Sequence, residues 1–111
     1  MITNKNGYVY LLLEVDAQGN ERHKIGITKN NVEKRIRQLQ TGNSNIIQLL
    51  NMYESINYKR VEQILHARFS NCKTEANNEW FNLSNEDILN FLTLCKKADE
   101  TIDLLKDNPF F

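Results

Sequence analysis

Two charged residues occupy positions where helical spacing calls for apolar ones. Val32, Ile36 and Leu39 recur at helical intervals, and Arg35 falls in the same stripe. Tyr58, Val61, Leu65 and Phe69 mark the buried face of a second helix, and Glu62 lies on or beside it. A charge on such a face bears a desolvation cost unless it meets a partner, a metal or an open cleft. The plainer reading puts both at stripe edges, with Arg35 reaching water and Glu62 in a surface pair. The chemical alternative has them projecting from two helices toward one sheet. There a carboxylate and a guanidinium can hold a divalent cation and neutralise a phosphate, the requirements of phosphodiester cleavage.

The strand-like segments add candidates. Tyr8, Tyr10 and Leu12 share one face of an extended run, with Tyr10 in the middle. A buried phenol needs a hydrogen-bond partner and loses its proton more readily near a cation, although a core aromatic with its hydroxyl at the rim is the commoner use. Lys24 and Gly26 share a face of the next run. Gly26 marks either a close approach of another chain or ligand, or a bulge. Lys24 is a solvated strand lysine unless that face is the site. His66 follows Glu62 by one turn, so both can point into one cleft, though a lone histidine is more often structural. Trp80 and Phe81 are most simply core aromatics, while an exposed Trp could stack on a base.

These residues must be positioned by a definite order of elements. Residues 7–15 form an apolar, β-branched and aromatic run ending at the turn cluster Asp16-Ala-Gln-Gly-Asn20, and His23 to Thr28 follows, which together predict a β-hairpin. Asn30 or Asn31 can cap the first helix, which Thr41-Gly42-Asn43 stops. A third strand is expected over 46–53 and a second helix from Asn57 to Phe69. After a polar loop over 70–78, Glu79 to Leu83 could add an edge strand. Ser84 with Asp87 forms an acidic capping box opening one long helix through Ile88, Leu92 and Cys95, reaching toward Ile102 and Leu105. The expected fold is α+β, a small mixed sheet of about three strands flanked by helices.

Composition bounds the rest. The chain has 111 residues with 41% hydrophobic content, enough for one domain with its own core and too rich for disorder. The apolar runs are far shorter than a membrane span, the polar start lacks a secretory layout, and Cys72 and Cys95 belong to no zinc-type cluster. An intracellular, reduced setting is expected. The net charge is zero, but residues 22–73 carry ten Lys or Arg against three acids, whereas 74–111 carry three Lys against eight acids. A polyanion would favour the first part.

In this order the residues resemble the GIY-YIG nuclease superfamily, in its small phage and bacterial branch with a KIG second motif and an EWF-type closing segment. The matching stretches are Val9-Tyr10, Lys24-Ile25-Gly26-Ile27-Thr28, Lys34-Arg35, Glu62 with Leu65-His66, and Glu79-Trp80-Phe81. They cover a core of about 7–92, leaving 93–111 as a helical extension and tail of a single domain over 1–111. The resemblance implies a metal-dependent endonuclease hydrolysing DNA, in the cytoplasm of a bacterium or a phage-infected host. It makes Tyr10 the base or water-positioning phenol, Arg35 the transition-state clamp and Glu62 the ligand of one Mg²⁺ or Mn²⁺. Lys24 becomes a base or phosphate contact, and His66 joins the catalytic candidates. Lys29, Lys34 and Arg37 are nucleic-acid contact candidates. The chain departs from the commonest pattern: Lys24 stands for a tyrosine, Tyr8 for a glycine, and only Asn78 or Asn82 could replace a late asparagine. Two other functions stay open. One is an inactive nucleic-acid or nucleotide-binding module. The other is a protein-interaction or self-associating module using the acidic carboxyl-terminal segment and the tail Pro109-Phe110-Phe111.

Overall fold

The computed structural model describes residues 6–74 and 77–106. The amino-terminal hairpin forms as its pattern predicts, with β1 (Gly7–Val15) paired antiparallel to β2 (Glu21–Thr28). Its turn is closed by the Asp16 carboxylate, which accepts from the backbone N–H of Gln18 and of Asn20, each at 2.9 Å.

Helix α1 (Val32–Gln40) is capped by Asn31, whose Oδ1 accepts from the Lys34 N–H at 3.2 Å. It ends at Thr41, and Gly42 follows with a positive φ of 75°, which a side chain would strain. Strand β3 (Ile46–Ser55) lies antiparallel on the far side of β1, and α2 (Tyr58–Arg68) comes next. A single 3₁₀ turn (Ser70–Cys72) leads into the two-residue β4 (Lys73–Thr74), then β5 (Asn77–Phe81).

Among the described residues the sheet has five strands in the order β3-β1-β2-β5-β4. The α+β class with helices flanking a small sheet is as expected, and its three long strands are those read from the sequence. Two details differ. Every pairing is antiparallel, so the sheet is not mixed: β2 and β3 run in the same direction, but β1 lies between them. The segment around Trp80 also lies inside the sheet edge, since β4 covers its outer side.

The long carboxyl-terminal helix is two helices. The capping box of Ser84 and Asp87 opens α3 (Asn85–Leu89), which stops at Asn90, and α4 (Phe91–Leu105) begins there. Asn90 has ψ near 2°, outside the helical well. Phe91, the first residue past the break, enters the core at 1% exposure, while Leu89 stays 84% exposed.

Two apolar clusters lie on opposite faces of the sheet. Val9, Leu11 and Ile25 pack with Val61 and Leu65 of α2 and with Phe91, Cys95 and Ile102 of α4. Tyr10 and Leu12 pack with Val32 of α1 and Ile47 of β3. Each fully buried Leu or Ile contributes about 1.5–3 kcal/mol, and β1 feeds both clusters by simple alternation. Among the described residues no helix is long and apolar enough to cross a membrane.

Candidate active site

Strand β5 pairs with β2 only through Phe81 opposite His23 and Trp80 opposite Lys24. Beyond Lys24, the stretch from Ile25 to Thr28 is paired with β1 on one side and, among the described residues, has no strand on the other. A cavity of about 220 Å³ opens at this edge, walled by Tyr10, Lys24, Ile25, Gly26, Ile27, Arg35, Glu62 and His66. Tyr10 and α1 approach from one face of the sheet, α2 from the other. All five residues expected to be catalytic from sequence thus line one concavity.

Tyr10 lies across the strand from Gly26, at 1% exposure. A Cβ built on Gly26 would stand 2.5 Å from the Tyr10 hydroxyl oxygen and 2.6 Å from Cζ. The glycine therefore answers to a close approach, and the group that approaches is the phenol of the neighbouring strand. The register between β1 and β2 runs without a bulge there.

Lys24 stands between Leu12 and Trp80 in the sheet, with its ammonium 5.5 Å from the centre of the Trp80 ring. The Arg22 guanidinium covers the same ring at 4.0 Å. Trp80 is 8% exposed, so it is a packed residue and not a platform open to a base. Arg22 also binds Glu14 through Nε at 2.6 Å. Asn43 and Asn45, from the loop after α1, donate to the same carboxylate at 3.1 and 3.2 Å. Burial pushes Glu14 upward, but these hydrogen bonds and the guanidinium charge outweigh it and hold the carboxyl below the usual glutamate range.

Arg35 is half-buried on α1, one turn after its buried anchor Val32. Glu62 and His66 are half-buried on α2, next to the fully packed Val61 and Leu65. His66 Nε2 lies 2.8 Å from the carbonyl oxygen of Ile25. A carbonyl only accepts, so Nε2 carries the proton and donates. The ring meets Phe81 edge-on, with centroids 5.0 Å apart.

The contact candidates Lys29, Lys34 and Arg37 are all exposed and outside the cavity wall. Asn82 borders a different cavity, beside Glu14 and Arg22, and the side chain of Asn78 lies outside the described residues, as does the tail Pro109-Phe110-Phe111. Sequence reasoning passed over two acids, the buried Glu14 and the half-buried Asp99. Glu14 interrupts the apolar run of β1, a visible signal. Asp99 of α4 accepts from the Tyr53 hydroxyl at 2.8 Å, the Ser55 hydroxyl at 2.9 Å and the Asn57 amide at 2.7 Å, and nothing local marks it. Burial raises Asp99, yet these three donors hold it below the usual aspartate range.

The donor set suits only one kind of metal. Among the described residues no three His, Cys, Asp or Glu side chains group as a metal cage. Among the described residues Glu62 is the one carboxylate on the Tyr10 cavity. A single oxygen donor fits a hard ion such as Mg²⁺, which keeps several waters and takes its remaining ligands from phosphate. The larger cavity of about 280 Å³ at the hairpin turn carries Glu14, Asp16 and Glu21, whose charges oppose a phosphate. A groove of about 190 Å³ between α2 and α4 is mainly apolar.

The architecture and site define a small α+β domain with a basic, phenol-containing cavity at a strand edge. The chain belongs to the T5orf172 domain family, which matches residues 7–96. The matching model is that of the T5orf172 domain and not a GIY-YIG one. No curated protein and no solved structure matches the chain.

Proposed function

We propose that the protein is a metal-dependent endonuclease that hydrolyses DNA phosphodiester bonds in the Tyr10 cavity. The observation that supports this reading is the convergence of a phenol, an ammonium, a guanidinium, a carboxylate and an imidazole on one pocket of phosphate scale. In the reaction, water adds its oxygen to phosphorus, the bond to the leaving sugar oxygen breaks, and that oxygen takes up a proton. Arg35 and Lys24 face the phosphate oxygens, where charge accumulates in the transition state. Tyr10, wedged over Gly26, orients the water or accepts its proton. Glu62 would hold the divalent ion, which when bound polarises the phosphate and lowers the pKa of its waters. The exposed Lys29, Lys34 and Arg37 supply charge toward flanking phosphates, without reading sequence.

Cleavage of single-stranded, duplex and branched DNA with Mg²⁺ or Mn²⁺, compared among wild type, Glu62→Ala and Arg35→Ala, tests the assignment. Equal cutting by all three proteins would reject it.

The position of Lys24 favours a second reading, a module that binds nucleic acid without hydrolysing it. Held near Trp80 in the place of a second-motif tyrosine, Lys24 offers a fixed cation to a phosphate. Salt-sensitive DNA binding with no cleavage under any divalent metal would establish that alternative.

A further inference from the structure

We propose that His66 is a positioning residue that latches α2 onto the unpaired edge of β2 and so sets Glu62 against the other side of the cavity. The inference rests on the nuclease reading of that cavity.

The edge of a sheet leaves backbone carbonyls without a ladder partner, and among the described residues the side of β2 turned away from β1 passes into that condition immediately after Lys24. His66 Nε2–H meets the Ile25 carbonyl at 2.8 Å, at the first residue past the pairing with β5. The two chain neighbours of Ile25 are Lys24 and Gly26, both on the cavity wall. On the helix side, Glu62 lies one turn before His66 and faces the same cavity. One hydrogen bond thus spans the two halves of the site. The edge-on contact with Phe81, at 5.0 Å and 85°, fixes the ring plane from a third element. A histidine with Nε2 engaged in this way cannot also deliver that proton to a leaving group. Its contribution is to hold a helix at a set height on a strand edge where, among the described residues, no further strand lies.

The test uses full-length protein. Without metal, ¹⁵N spectra of the His66 ring at a pH of about 8.5, where an ordinary imidazole is neutral, should show the Nε2–H form. The Nδ1–H form would overturn the proposal. Amide exchange across α2 should accelerate in His66→Ala and return to the wild-type rate in His66→Gln, whose amide can supply the same donor. Unchanged exchange in His66→Ala would also overturn it.

In the cleavage assay, His66→Ala should need about 10- to 100-fold more Mg²⁺ for half-maximal rate with KM for DNA nearly constant, and His66→Gln should stay within about threefold of wild type. Equal loss of kcat in both variants, with α2 exchange as slow as in wild type, would mean that the ring touches substrate and is not a latch. If the wild type cuts no DNA, the nuclease reading fails, while the ring spectra and α2 exchange still decide the latch. Should His66→Ala not fold, His66→Gln and the ring spectra decide it.

Discussion

Tyr10 and Gly26 face each other across the first two strands so closely that the phenol occupies the volume a side chain at position 26 would need. The hydroxyl owes its place to the absence of a Cβ. A single methyl group becomes a probe of the chemistry.

Gly26→Ala should therefore displace the Tyr10 ring and cost about 1–3 kcal/mol of stability, as overpacking does. Cleavage should fall by about two orders of magnitude, because a misplacement near 1 Å costs that much. Tyr10→Phe keeps the packing and should lose the rate alone. Urea denaturation beside single-turnover rates separates the two effects.

Arg35→Lys should recover little of the activity lost in Arg35→Ala. An ammonium lacks the fork that engages two phosphate oxygens at once. A loss of about 100- to 1,000-fold in kcat is expected for Arg35→Ala. Rates at saturating DNA measure it.

Glu14→Ala should destabilise the fold by about 2–4 kcal/mol, since it leaves the Asn43 and Asn45 amides without their acceptor and Arg22 without its acid. The loop after α1 loosens with it. Thermal unfolding of the variant, with Asn45→Ala as a smaller step, reads this out.

Stability should fall in two stages on acidification. Burial lowers His23 from its ordinary 6.5, with the charge of Glu21 and a backbone bond to Phe81 opposing. Because the folded value is the lower one, the unfolded chain binds the extra proton first. The His23 contribution is complete above about 6.5 and is lost as pH falls toward the folded value. Glu14 and Asp99 lie below their ordinary 4.5 and 3.8, so their contribution is present above those values and declines beneath them. Urea midpoints from pH 8 to 3 should show both stages, and Asp99→Asn should flatten the second.

Cys95 should resist alkylation in the native protein. Burial, assisted by the charge of Asp99, pushes its thiol up to about 12, and the side chain is fully enclosed. Cys72 is half-buried and should react first with a small haloacetamide. Mass spectrometry of the labelled peptides gives the order.

Local signals carried the hairpin, the Asn31 cap, the capping box at Ser84 and the two amphipathic helices, because each depends on residues only a few positions apart. Arg35 and Glu62 announced themselves by violating a helical stripe. What stayed hidden was set by contacts distant in sequence. The bond from His66 to Ile25 joins residues 41 positions apart, and the donors Tyr53, Ser55 and Asn57 meet on Asp99, which is 42 to 46 positions away. The charge of Lys29, Lys34 and Arg37 is legible in the sequence, but charge does not say which side of a turn or helix faces a cavity.

The alternation of β1 between two separate cores has a kinetic corollary. To release that ribbon the chain must open both hydrophobic layers together, so its amides should be the last to exchange with solvent and should do so only on global unfolding. Tyr10 is part of that ribbon. The Tyr10 phenol is thus anchored in the segment expected to persist longest, while Arg35 and Glu62, which face the same cavity, ride on α1 and α2.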